Sequence, residues 1–313
     1  MNSEEYESLL HNLLRYARHY RDPATVKRFL GIKGPVWDML LEEAAWRGLI
    51  RAGDSLELTY AGQSALAKEP EPFFCPACQG TGLDVGALEP LATELARGRK
   101  KPDVALDQCP VHPQDLARRA AFIYEHGDLR GKRVLCLGDN DFTSLMLACL
   151  GGAKEIWVVD IDEIVLETIA RLAEKHGFPV RIMRCDVRCY LKNEEEAASL
   201  EEFDTFIIDP PYTEKGFRAF ATFGVRHLKR RGVAYAIMPY MRLERWSQEL
   251  LFHALHFFLD LNFVVTDVHS FFQTYEHEDS IISALIRAER PGFVKEPSAR
   301  WEEMNGKFYT SQN

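Results

Sequence analysis

The 313-residue chain has no basic surplus: 38 lysines and arginines stand against 47 aspartates and glutamates, a formal net charge of −9. Proteins that coat nucleic acid draw on a basic surface, so nucleic acid is not expected as a partner. No apolar run approaches the length that crosses a bilayer, which removes a membrane partner from the expectations. The N-terminus, MNSEEYESLL, is acidic where a secretion signal would be basic, and a cytoplasmic location is the expectation. Internal repeats and low-complexity tracts are missing. Cysteine is sparse and odd in number, seven in all, and in a cytoplasmic chain the thiols stay reduced. Cys136, Cys149, Cys185 and Cys189 fall within apolar strand or helix patterns and are expected to be buried as small hydrophobes.

What is present is an ordinary globular composition, 46% hydrophobic and 27% charged, with length enough for two domains. The acidic balance suits a cationic small substrate, which an acidic cleft concentrates. Three regions are expected: a winged-helix-like domain over 1–68, a cysteine-containing connector over 69–113 and a catalytic domain over 114–313. The first reads as a helix near Glu5–Tyr20, a second opened by Asp22-Pro23, a third through VWDMLLEEAAWRGL, two short strands around Gly53-Asp54 and a closing helix. Its would-be recognition helix carries Asp38, Glu42 and Glu43 with only Arg47 as a base, so a structural or dimerisation role is favoured over DNA binding. In the connector, Cys75-x2-Cys78 and Cys109-x2-His112 make a four-ligand set that would suit a structural zinc. The long gap between the pairs weighs towards a CxxC turn and an unrelated Cys109, and no metal is expected at the reaction site.

The third region alternates strands and helices. The strands read RVLCL, EIWVVD, VRIM, TFIID, VAYAIM, FVVTDVH and SIISALIR. Helical patterns lie between them at Thr143–Leu150, Ile164–His176, Glu194–Leu200, Gly216–Lys229 and Leu243–Leu261. Near-continuous apolar strands separated by helices indicate a mostly parallel sheet covered on both faces. The last two strands have no helix between them and should pair as an antiparallel hairpin. The expected fold is α/β, a Rossmann-like seven-stranded sheet resembling the class I S-adenosylmethionine-dependent methyltransferases.

In such sheets the ligand sits beyond the carboxyl ends of the strands, where the strand order reverses. The first four strands are followed by Gly138-Asp139-Asn140-Asp141, by Asp160 and Asp162, by Asp186, and by Asp209-Pro210-Pro211-Tyr212. Gly138 lets the chain turn tightly against a nucleoside. Asp160 lies roughly 20 residues on, where a carboxylate meets ribose hydroxyls; Asp162 is the better N-cap. Asp186 stands where an adenine amino group would be accepted. A methionine carboxylate placed against Asp139 or Asp141 at about 4 Å would cost on the order of 4 kcal/mol at an effective dielectric near 20. Decarboxylated S-adenosylmethionine, with its ammonium tail, would instead be attracted. The alternative is that these aspartates cap the following helix, and one of them is expected to. The DPPY turn is similar to those with which amino-methylating enzymes orient an amine: Asp209 accepts its N–H, Pro210 and Pro211 stiffen the turn, and Tyr212 offers a cation–π face. Tyr275, Glu276, Glu278 and Asp279 either line the mouth of a polycation site or form a solvated hairpin turn.

On GDND, VVDIDE and DPPYT together, and on DQCPVHPQDLARRAAFIYEHGDLRGKRVLCLGDNDFTSLMLA, the chain resembles the branched-chain polyamine synthases of thermophilic archaea and bacteria. The resemblance implies an aminopropyltransferase using decarboxylated S-adenosylmethionine as co-substrate and spermidine as acceptor, working as a homodimer. It places the family's acidic signature on Asp139 and Asp141, with Asn140 where many members carry another aspartate, and its DPPY on Asp209–Tyr212. Asp139 or Asp141 would receive the proton, Asp209 and Tyr212 would orient the amine, and Asp141 and the two prolines would contact it. Gly138, Asp139, Asp160, Asp162, Asp186 and Asp209 would hold the nucleoside. The rival expectations are an S-adenosylmethionine-dependent N-methyltransferase acting on nucleic acid or protein, and a nucleoside-sensing regulator.

Overall fold

The computed structural model describes residues 3–30, 32, 35–71, 73, 83–192, 200–292 and 306–311. Two compact units divide the chain: residues 1–85 with 121–131, and residues 86–120 with 132–313. Among the described residues no helix is long and apolar enough to cross a membrane.

The first unit holds α1 (Ser3–His19), α2 (Pro23–Leu30), α3 (Pro35–Trp46), the two-stranded antiparallel ribbon β1 (Ile50–Ala52) and β2 (Leu56–Leu58), and α4 (Tyr60–Ala65). In α1, Leu10, Leu13, Leu14 and Ala17 recur at helical spacing and pack with Val26, Trp37, Leu40 and Leu56 into one core. Thr59 caps α4, its hydroxyl accepting the Gly62 N–H at 3.2 Å. In a buried ion pair, Glu125 Oε1 accepts from Arg15 at 2.9 Å and from the Phe73 N–H at 2.7 Å, while the Tyr16 hydroxyl donates to the Glu125 carbonyl at 2.7 Å.

The second unit runs α5 (Glu89–Ala96), α6 (Pro113–Glu125, its last residues in the first unit), β3 (Arg133–Leu137), α7 (Thr143–Leu150), β4 (Glu155–Asp160), α8 (Glu163–His176), β5 (Val180–Arg184) and α9 (Val187–Lys192). It continues through β6 (Phe203–Ile208), α10 (Glu214–Arg226), β7 (Leu228–Pro239), α11 (Arg245–Asp260), β8 (Val264–Tyr275) and β9 (Glu278–Glu289). The sheet order is β5-β4-β3-β6-β7-β9-β8. The first five strands in that order pair in parallel, and β9 runs antiparallel to both β7 and β8. All seven expected strands form, and the last two make the expected hairpin. β3, β6 and β7 are apolar through most of their length because helices cover both faces.

Two expectations are modified and a third falls outside the described residues. The connector contains α5, whose Ala92 and Leu95 are buried; the helical spacing was masked by flanking prolines and glycines. The expected helix Glu194–Leu200 lies almost wholly outside the described residues. Cys189 is exposed and Cys149 only partly covered; α9 turns Val187, Tyr190 and Leu191 inward and leaves Cys189 facing out.

Candidate active site

The strand order reverses beside β3, between β4 and β6, and the expected carboxylates gather at the ends of these three strands. Gly138 follows β3 with φ +68°, a conformation costly to any residue with a Cβ; an added Cβ would also sit 3.0 Å from the Phe220 ring. Its neighbour Asp139 is buried and turned towards α7, where it accepts the Thr143 N–H at 2.7 Å and the Ser144 N–H at 3.1 Å. Asp141 is buried as well. It accepts the Val111 N–H at 2.8 Å and lies 3.0 Å from the Arg119 guanidinium. Only Asn140, between them, lines the cavities, and its Nδ2 is buried with no protein partner among the described residues.

Asp160 at the end of β4 accepts from the Asp139 and Asp162 backbone N–H groups at 3.1 and 2.8 Å. Burial pushes its carboxyl up to about 6 against those bonds. Asp162 caps α8 through the Ile164 and Val165 N–H groups and is bonded by Gln108 at 2.7 Å and paired with Lys100, partners that hold it below the usual carboxylate range despite its partial burial. Asp186 grips Arg188, accepting its backbone N–H at 2.9 Å and its side chain at 2.7 Å. The Arg188 guanidinium in turn lies 5.2 and 5.5 Å from the Phe308 and Tyr309 ring centroids. Asp162 and Asp186 thus hold the frame around the cavities, while Asp160 lines one of them.

Two adjoining hollows meet at this point. One is lined by Gly138, Asp160, Ile161, Pro211, Phe220 and Tyr309, the other by Cys109, Pro210, Tyr212, Tyr275 and Ile281. Asp107, Asn140 and Asp209 line both. The second opens into a cleft of about 850 Å³ that reaches Lys101, Val104, Trp246, His277 and Glu278. Three carboxylates, Asp107, Asp160 and Asp209, and no lysine or arginine are among the described residues lining the two hollows.

Asp209 is the most elaborately held of the three. Its Oδ2 accepts from Arg119 at 3.1 Å and from the Gln273 amide at 3.4 Å, and its Oδ1 accepts from the Tyr212 hydroxyl at 3.3 Å. Tyr212 and Tyr275 share a short hydroxyl–hydroxyl bond, and both reach Ser283 Oγ, at 2.9 and 2.7 Å. Burial pushes the Asp209 carboxyl up to about 7; Arg119 pulls it down and Asp141 pushes it further up. A carboxyl so placed can accept a proton near neutral pH.

Sequence reasoning missed Arg119, Gln273, Asp107 and Tyr309. Arg119 had a signal. Leu116, Arg119, Ala120 and Ile123 recur at helical spacing and are all buried, so one arginine of the Arg118-Arg119 pair falls on an apolar stripe where it must find partners. Asp107 had none, because its approach to the cavities depends on the path of residues 99–112 and on bonds from Thr310 at 2.7 and 2.6 Å. Of the hairpin residues, Tyr275 lines the inner hollow and Glu278 the cleft, while Glu276 lies 3.6 Å from Arg99; the Asp279 side chain lies outside the described residues. Cys109 lines the cleft mouth with its thiol pushed up to about 11 by burial. Cys75 and Cys78, the other half of the zinc expectation, lie outside the described residues, and among the described residues no group of three or more potential ligands has metal-binding geometry.

The family model for the branched-chain polyamine synthase A C-terminal domain matches residues 89–310. The chain belongs to the branched-chain polyamine synthases. It is 32% identical over 250 residues, 78% of its length, to a Thermus thermophilus protein named N(4)-bis(aminopropyl)spermidine synthase. A solved T. thermophilus branched-chain polyamine synthase, in complex with N4-aminopropylspermidine and 5′-methylthioadenosine, is 26% identical. It matches 95% of this chain and 91% of its own with a TM-score of 0.61. A candidate RNA methyltransferase of Pyrococcus horikoshii, 21% identical over 65% of this chain and 96% of its own at a TM-score of 0.52, shares the fold. The chain spans 56–68% of the length of the curated relatives it matches. Within the polyamine synthases, then, the paired hollows at the ends of β3, β4 and β6 are where an adenosine-bearing donor and an amine acceptor are to be sought.

Proposed function

We propose that the protein transfers aminopropyl groups from decarboxylated S-adenosylmethionine to the secondary amine of spermidine, giving N4-aminopropylspermidine, N4-bis(aminopropyl)spermidine and 5′-methylthioadenosine. The observation that carries this reading is the lining of the two hollows: three carboxylates and no basic side chain among the described residues. A donor bearing the methionine carboxylate would find no cation there, whereas the ammonium of an aminopropyl group and the amines of the acceptor are attracted. The hollow with Gly138, Asp160 and Tyr309 takes the nucleoside. The one with Asp209, Pro210 and Tyr212 takes the reacting nitrogen, and the cleft beyond takes the rest of the polyamine.

In the first transfer the neutral secondary nitrogen attacks the carbon bonded to the sulfonium. The C–N bond forms as the C–S bond breaks, and its electron pair leaves on the sulfur of 5′-methylthioadenosine. The nitrogen emerges carrying a proton, which passes to Asp209. A second transfer to the same nitrogen makes a quaternary centre with no proton to release. Asp139 and Asp141, first assigned the proton, serve instead as the buried framework and negative field behind Asn140; both are spent on backbone amides, and Asp141 also on Arg119.

The first unit we read as a winged-helix-like domain in a structural or dimer-forming role, and the protein as a cytoplasmic homodimer whose catalytic machinery lies in the second unit. The test is mass spectrometry after incubation with spermidine and each sulfonium donor separately. Mass increments of one or two aminopropyl groups with the decarboxylated donor are expected. Methyl increments with S-adenosylmethionine, or tighter binding of that donor, would overturn the reading.

A further inference from the structure

Arg119 is fully inside the protein, yet its guanidinium touches neither water nor either of the two hollows described. One terminal nitrogen donates to Thr143 Oγ1 at 2.9 Å and lies 3.0 Å from Asp141 Oδ2; the other donates to Asp209 Oδ2 at 3.1 Å and to Gln273 Oε1 at 2.6 Å. One cation therefore contacts two buried carboxylates that come from different strand ends, Asp141 after β3 and Asp209 after β6, and that also meet each other directly. The arrangement occupies Oδ2 of Asp209 completely, with the Gln273 amide beside it, and leaves Oδ1 with the single long bond from Tyr212. A buried arginine costs several kcal/mol in desolvation, and a stabilising role alone would be met as well by apolar side chains.

We propose that Arg119 is a positioning residue for transfer: it pins one oxygen of Asp209 so that the other faces the amine, and it offsets Asp141 so that Asp209 is free to take a proton. The charged and titratable groups facing Asp209 are Arg119 from α6, Asp141 from the β3–α7 loop, Tyr212 from its own turn, Tyr275 from β8 and the Cys109 thiol. Among these Arg119 alone is a cation; Arg99, whose guanidinium donates to the Asp141 carbonyl at 2.7 Å, faces Asp141 as well. Without Arg119, Asp209 would keep the repulsion from Asp141 and lose the attraction that opposes it, so its carboxyl would be pushed further up.

The proposal rests on the aminopropyl-transfer reading for its reaction, and its test has an arm that needs no reaction. Two variants push in opposite directions. Asp141→Asn keeps the bond from the Val111 N–H and removes the repulsion; Arg119→Met removes the attraction. The protonated-carboxyl infrared band of Asp209, identified by its loss in Asp209→Asn, is titrated in the unliganded protein, and the acid limb of the transfer rate is measured beside it. Band and limb should move together, down in Asp141→Asn and up by about 1 to 3 pH units in Arg119→Met, with Arg119→Lys nearer the parent. KM for the sulfonium donor should change less than twofold while kcat falls at neutral pH and recovers in base.

If Arg119→Met does not fold, the Asp141→Asn shift still decides. A band unmoved in Asp141→Asn, or a folded Arg119→Met with the parental limb, overturns the positioning role. If the band moves as expected while the parent transfers no aminopropyl group, the positioning of Asp209 stands and the assigned reaction falls.

Discussion

The Asp139 carboxylate accepts the backbone N–H of Thr143 at 2.7 Å, the bond that opens α7 directly behind the proposed donor site. With Ser144 N–H on its second oxygen, Asp139 does the work of a helix cap and meets the positive end of the helix dipole. Replacing it by alanine should cost about 1–2 kcal/mol of stability, read by denaturant unfolding. Asparagine should retain most of the turnover and lose part of the stability, since the amide oxygen still accepts one helix N–H while its NH2 group faces the other. Loss of turnover in Asp139→Asn with stability intact would return this residue to the proton-accepting role.

Asp209→Asn removes the acceptor while keeping the shape of the turn. The rate of aminopropyl transfer should fall by about 10²–10⁴-fold, with binding of 5′-methylthioadenosine, measured by calorimetry, within a few-fold of the parent.

The pH dependence follows from the same group. Asp209 is pushed up to about 7 by burial, and it accepts a proton only when it has none. Transfer should therefore rise as pH climbs through about 7 and fall below it. A rate that is flat from pH 5 to 9 would remove Asp209 from the proton path.

At Gly138 the backbone is left-handed and the space beyond is closed by Phe220. Gly138→Ala should destabilise the protein by about 1–2 kcal/mol from the backbone term alone, and should weaken nucleoside binding as the turn shifts. Thermal unfolding with and without 5′-methylthioadenosine reports both.

In the first unit, Arg15 and Glu125 are almost completely enclosed. Glu125→Ala should cost about 3–5 kcal/mol by stranding the guanidinium, and Arg15→Met/Glu125→Leu should recover much of that loss. A denaturant series on the single and double variants checks it.

Much of this was legible in the sequence because the sheet announces itself locally. RVLCL, EIWVVD and TFIID are apolar runs that only a doubly covered parallel strand accommodates, and the acids that follow them fall at the strand ends by necessity. What the sequence left open was the direction each carboxylate faces. GDND looks like an acidic loop, yet its two aspartates face a helix end and an arginine, and the neutral residue faces the hollows. That outcome depends on Arg119, about 20 residues upstream, and on Val111 in the connector, and no periodicity within the loop encodes either contact. DPPY was legible since two prolines leave the turn little freedom, whereas Asp107 and Tyr309 reach the cavities only through the tertiary path of their segments.

Asn140 stands at the seam shared by both hollows. An amide there carries no proton to exchange, so on the β3 side any ionisation lies one layer back from the hollows, in the buried acids that flank it. Asp139 behind it, Asp160 on β4 and Asp209 on β6 are each pushed up to between about 6 and 7 by burial, so the enzyme should respond to acid through several overlapping protonations rather than as a one-proton switch.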